Sequence, residues 1–180
     1  MDTVEWIAQI IGILAMLFNI LSYQQKTRTG AIAFQLGGAL LFAVNFGMLG
    51  AVVGSILNAV AAVRAVVFLN RDKFQANRII WLVGFIAVYI ASYALTFTVL
   101  DKEPTLANLL IEFLPVIGMT ATTISFRFTD AKAIRRFGFI SSPCWLIYNI
   151  ANFSIGAIAC EVLSLCSILI GIFRLDRNPK

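Results

Sequence analysis

Asn70-Arg71-Asp72-Lys73-Phe74-Gln75-Ala76-Asn77-Arg78 is a polar break between two long apolar runs, and its charge decides how the rest of the chain is read. A hydrocarbon core about 30 Å thick asks for about 20 apolar residues per helix. Cutting the chain at breaks of this kind gives spans near 6–23, 31–48, 51–69, 79–99, 106–126, 133–152 and 155–174. The breaks alternate in charge. Lys26 and Arg28 follow span 1; Arg71, Lys73 and Arg78 follow span 3; Arg127, Lys132, Arg135 and Arg136 follow span 5; Arg174, Arg177 and Lys180 follow span 7. Arg64 lies inside span 3 toward the same side, so of 14 Lys and Arg residues Lys102 alone, flanked by Asp101 and Glu103, falls in a loop on the opposite face. Short loops rich in Lys and Arg stay in the cytoplasm. The sequence predicts an all-α polytopic membrane protein of seven transmembrane helices, with the N-terminus outside and the C-terminus cytoplasmic.

Composition agrees, with 60% apolar residues, 13% charged residues and a mean hydropathy of +0.89. Seven spans use up most of 180 residues, so 1–180 reads as a single membrane domain. A net charge of +5 raises nucleic acid as a partner, but the cations are spread over four loop edges. Membrane topology and anionic headgroups account for them, and the expected partner is the lipid bilayer. Asp2 and Glu5 precede span 1 and no cation comes before Lys26, unlike the basic start of a cleaved signal peptide. Cys144, Cys160 and Cys166 fall within spans, without zinc or haem spacing, and read as small apolar fillers. The chain has no histidine, which excludes imidazole metal sites and histidine-based triads. With no nucleophile motif and no phosphate loop either, no enzymatic activity, cofactor or metal is expected.

The loops also have a rhythm. Spans 1–3 and spans 5–7 each contain a basic first loop and a tight uncharged second turn, at 46–50 and 152–156, and span 4 restores the orientation between them. An ungapped overlay of Gly12 on Gly118 pairs Ala15 with Ala121, Lys26 with Lys132, Leu40 with Leu146, Gly50 with Gly156, Ala51 with Ala157 and Leu57 with Leu163. It also brings Gly37 in span 2 into the region of Pro143 in span 6. The expected architecture is a 3+1+3 parallel repeat: a first bundle at 6–69, a linker helix at 79–99 and a second bundle at 106–174. Transporters built from parallel repeats hold solute at mid-membrane between them.

Ile11-Gly12-Ile13-Leu14, Ser22-Tyr23-Gln24-Gln25-Lys26, Phe42 to Gly50 and Ser55-Ile56-Leu57-Asn58 resemble one triple-helix bundle of the SWEET, semiSWEET and PQ-loop transporters. A closer likeness is to the YgjV-type bacterial inner membrane proteins. It is carried by Ser22-Tyr23-Gln24-Gln25-Lys26, Leu49-Gly50-Ala51, Gly54, Leu57-Asn58, Arg64, Phe68, Glu161, Ser167 and Arg174, and it covers nearly the whole chain. That resemblance implies a multi-pass protein of the bacterial inner membrane. The SWEET-like pattern is incomplete, because Pro115 and Pro143 lie in the second bundle and the first has no proline; Gly37 and Gly38 are its candidate loosening points in span 2.

Polar groups at membrane depth are costly and normally face a bundle interior. At about 1.5 Å per residue, Asn58, Glu112 and Glu161 each lie roughly 10 Å inside the outer ends of their spans. These three, with Asn45 and Asn149, are the expected lining of a polar pocket. Asn19 and Arg64 lie deeper toward the basic face, and Pro115 frees a carbonyl beside Glu112. Arg64 has two expected fates, snorkelling to the headgroups or pairing with carbonyls. Gly50, Gly54, Asn58, Ala61, Ala62 and Ala65 make span 3 small and suggest a central place in its bundle. The leading functional reading is a transporter of a small polar solute by alternating access. The alternative is a noncatalytic membrane partner or sensor that keeps the fold without transport. Oligomerisation is left open.

Overall fold

The computed structural model describes residues 3–49, 52–99, 102–152 and 155–176. Readings that rest on Asp2, Gly50, Ala51, Asp101, Arg177 and Lys180, and part of the turn at 152–156, lie outside these residues. Within them the chain is all-helical: α1 (Thr3–Ser22), α2 (Arg28–Met48), α3 (Val52–Leu69), α4 (Ile79–Thr98), α5 (Leu106–Arg127), α6 (Ala131–Ala151) and α7 (Ile155–Gly171), with a final π-helical turn at Ile172–Asp176.

Capping side chains set the starts of three helices. The Thr27 hydroxyl accepts a hydrogen bond from the Gly30 amide, the Thr105 hydroxyl from that of Asn108, and the Asp130 carboxylate from that of Ala133. Each satisfies an amide donor that the first turn leaves free. In consequence α2 begins at Arg28 and α6 at Ala131, ahead of the apolar runs that predict them.

By length and composition, four helices among the described residues are suited to crossing a membrane: Arg28–Met48, Ile79–Thr98, Leu106–Arg127 and Gly156–Asp176. Trp6–Ser22 and Gly54–Leu69 are shorter apolar helices. The start of α6 carries Lys132, Arg135 and Arg136. Burial runs opposite to that of a soluble protein. Large aliphatic residues such as Ile10, Leu40, Ile80, Leu110, Ile147 and Ile170 point outward, whereas many of the buried positions are Ala, Ser, Thr and Asn. Small buried residues let helices approach closely where lipid removes the usual hydrophobic drive to pack.

Contacts between helix ends fix relative directions. The ends of α1, α3, α5 and α7 gather on one face, where Gln24 reaches Ser167, Arg28 reaches Phe68 and Phe126, and Arg135 reaches Asp176. The opposite face is tied by Asn45 to Ala8, Ser55 to Ala43 and Lys102 to Glu112. Consecutive helices therefore run in opposite directions, and residues 3 and 176 lie on opposite faces.

α2 packs along both α1 and α3, and α6 along both α5 and α7. The middle helix of each consecutive trio is thus its second, and α3 is not the central element expected from its small residues. The reason lies in α2. A methyl group on Gly37 would stand 2.5 Å from the Phe18 ring, and one on Gly38 would stand 2.9 Å from the Asn19 side-chain oxygen. These two glycines are where α1 seats on α2 within a continuous helix. α4 lies against α5. The trios meet where α1 touches α7, α2 touches α6 and α3 touches α5.

Gly171 shows how tight the gathered face is, since an added methyl would come within 2.6 Å of the Tyr23 carbonyl oxygen and 2.7 Å of Arg135 Cδ. Gly84 has open space around it. Gly171→Ala should cost about 1–3 kcal/mol through overpacking, whereas Gly84→Ala should gain roughly 0.5–1 kcal/mol through helix propensity. Thermal unfolding of the detergent-solubilised variants checks both signs.

Candidate functional site

α1, α2, α3, α5, α6 and α7 enclose a cavity of about 570 Å³ between the trios. Its wall runs from Gln9, Leu49 and Gly156 near the opposite face to Tyr23, Arg64 and Phe126 near the basic face. Asn19, Asn45, Asn58, Asn149, Arg64 and Glu161 all line it. Glu112, Pro115 and Pro143 do not.

The asparagines differ in what they have left to offer. Asn45 is buried and its amide nitrogen donates to the Ala8 carbonyl at 2.6 Å, so it fastens α2 to α1. Asn58 donates to the Gly54 carbonyl of its own helix at 2.8 Å, which leaves its side-chain oxygen to the cavity. Glu161 has no cation within ion-pair distance among the described residues. Ser142 and Tyr23 line the cavity together with Glu161. A carboxyl group at membrane depth without a cationic partner is expensive to keep.

Glu112, expected in the same layer as Asn58 and Glu161, is engaged elsewhere. Lys102 folds back from the α4–α5 connection and places Nζ 2.5 Å from its carboxylate, which satisfies the charge at the opposite face. Pro115 and Pro143 lie inside α5 and α6, and both helices continue through them.

Arg64 does not snorkel. Its side chain is 6% exposed, and Nη1 donates to the Tyr89 hydroxyl at 3.1 Å, the Met119 carbonyl at 3.3 Å and the Thr123 hydroxyl at 3.4 Å. The guanidinium lies 5.1 Å from the centre of the Phe126 ring, a cation–π arrangement. Its Nε is buried without a partner. α4 thereby contributes Tyr89 as a partner to a residue of the cavity wall.

The sequence reading omitted Ser141, Ser142 and Trp145, which also line the cavity. A signal was present. Gly138, Ser141, Ser142, Trp145 and Asn149 recur at helical spacing, giving α6 a stripe of small and polar residues. No comparable signal marked Arg135. It counted as a cation beside the loop at the start of span 6, yet within α6 it is 3% exposed.

An all-helical chain with aliphatic side chains outward, small and polar ones inward and several helices suited to lipid is a multi-pass membrane protein. The chain belongs to the bacterial inner membrane protein family Imp-YgjV, whose profile matches residues 6–179, and it is a protein of that membrane. No curated protein and no solved structure matches it.

Tyr89 is 1% exposed and its hydroxyl also lies 2.9 Å from that of Thr123. Tyr89→Phe leaves the Arg64 guanidinium short of one partner in a low-dielectric setting. The expected cost is about 1–3 kcal/mol, read as a lower midpoint in thermal or denaturant unfolding.

Proposed function

We propose that the protein moves a small polar solute across the inner membrane by alternating access between two like-oriented three-helix units, 6–69 and 106–174, joined by α4. The arrangement is SWEET-like, all seven helices cross the bilayer, and the basic face is cytoplasmic in keeping with the positive-inside rule.

The contact pattern between the trios supports the repeat. A two-fold rotation along the membrane normal that carries α1, α2 and α3 onto α5, α6 and α7 turns the α1–α7 contact into α5–α3 and returns the α2–α6 contact to itself. Those are the pairings found, and they are what an isologous interface requires.

The observation that carries the transport reading is where the cavity lies. Three helices of each unit wall it, it falls along the seam on which the units would rock, and its size lies in the range of small-molecule sites, about 300–1,000 Å³. Asn58 and Glu161 are its proposed solute contacts, and Trp145 offers an aromatic face. The reading assigns the cavity recognition and passage, with no catalytic step.

Uptake into proteoliposomes, screened over sugars, amino acids and other small metabolites, tests it. The expected result is accumulation of one class, reduced about tenfold or more by Asn58→Ala and by Glu161→Gln through loss of a hydrogen bond to solute. Asn45→Ala should instead act on stability, lowering it by about 1–2 kcal/mol through the lost bond to Ala8. A flat screen with folded protein refutes the reading.

A further inference from the structure

We propose that Arg28 and Arg135 are paired latches that seal the cavity at the basic face, and that their release opens it there. The inference rests on the transport reading and adds the residues that regulate that site.

Two aromatic residues, Tyr23 just after α1 and Phe126 near the end of α5, line the cavity toward the basic face. Each is gripped by an arginine through its main-chain carbonyl. Arg28 donates from Nε at 3.0 Å and from Nη2 at 2.7 Å to the Phe126 carbonyl, and its Nη2 also donates to the Phe68 carbonyl at 2.8 Å. Arg135 donates from Nη1 to the Tyr23 carbonyl at 3.3 Å and to that of Gln25 at 2.9 Å, while Nε and Nη2 pair with the Asp176 carboxylate.

The proposed rotation exchanges the helices that the two arginines join, although not the individual residues. Arg28 opens α2 and bridges the end of α3, in its own unit, to the end of α5 in the other. Arg135 lies in the second turn of α6 and bridges the turn after α7, in its own unit, to the end of α1 in the other. Each spans one of the two seams along which the units meet. Between them, Gln24 donates to the Ser167 carbonyl at 2.6 Å and its hydroxyl at 2.8 Å, closing α1 against α7.

The chemistry suits a reversible closure. The last carbonyls of a helix have no partner within it, and they sit at the negative end of the helix dipole, so a cation there is held well. When the seam opens, the basic face can supply water to both the guanidinium and the carbonyls. A latch of this kind breaks without stranding a charge in lipid.

Cys160 provides a native reporter, because it lines the cavity and is a free thiol. With Cys144→Ser and Cys166→Ser in place, a membrane-impermeant cationic methanethiosulfonate is applied to spheroplasts or to inside-out vesicles, which present opposite faces. The unaltered latches predict modification chiefly from the face opposite the basic one. R28Q and R135Q should raise the rate from the basic face about tenfold, the population shift expected from losing charge-assisted hydrogen bonds, and should lower it from the other. D176N, which removes one partner of Arg135, should give a smaller rise of the same sign, and it carries the test alone if the arginine variants do not fold.

Lower melting temperatures with unchanged rates from both faces overturn the proposal and make the two arginines static helix caps. Solute uptake measured in parallel separates the two ideas. A changed pattern of modification without uptake of any solute upholds the latches and refutes transport, whereas uptake with modification insensitive to all three variants does the reverse.

Discussion

The structure depends on how a guanidinium is satisfied beside lipid. Arg28, Arg64 and Arg135 all donate to main-chain carbonyls, of Phe68, Phe126, Met119, Tyr23 and Gln25, and only Arg135 also has a carboxylate. Where water is scarce, a carbonyl freed at a helix end and a buried cation each need a partner. Here each supplies the other. The places where carbonyls come free are helix ends, so Arg28 and Arg135 tie helices of different trios together at the gathered face. Arg64 joins α3 to α4 and α5 inside the bundle, through the Tyr89 and Thr123 hydroxyls and the Met119 carbonyl.

That constraint shapes the cavity. At the basic face the arginines, Gln24 and the close approach of Gly171 to the Tyr23 carbonyl draw the helices together. Further out, among the described residues, no such cluster of cations spans the trios, and Asn58 on α3 and Glu161 on α7 line the space between them. The aromatic cluster of Phe68, Phe85 and Phe126 packs beneath it and gives α3, α4 and α5 a common anchor. In the latch proposal, polar contacts that water can replace close the cavity at that end.

Much of this was legible in the residues. Seven apolar spans and their loops correspond to seven helices within a few residues, because four of the six breaks are strongly polar, three of them carrying the capping residues Thr27, Thr105 and Asp130. Membership of an inner membrane family was legible in scattered motifs such as Ser22-Tyr23-Gln24-Gln25-Lys26 and Leu57-Asn58. Depth along a helix could be counted, and it placed Asn58 and Glu161 at a similar level. What a depth count cannot give is which loop residue reaches back, and Lys102 therefore removed Glu112 from the expected pocket. Nor does it say which neighbour a glycine admits. Gly37 and Gly38 read as loosening points, and in the fold they are the seat of α1. Charge counting likewise treated Arg28 and Arg135 as markers of topology, because their bonding partners are carbonyls of residues up to 112 positions away in the chain.

Lys26, between α1 and α2, and Lys132, at the start of α6, are well placed to report on the seam between the trios. Pulsed electron paramagnetic resonance between spin labels at Lys26→Cys and Lys132→Cys, in a protein freed of its native cysteines and reconstituted in lipid, measures their separation directly. The account predicts two distance populations, with the longer one growing when Arg28 or Arg135 is replaced by glutamine. A single distance that stays the same in every variant contradicts it, and with it the idea that two units move against each other around the cavity.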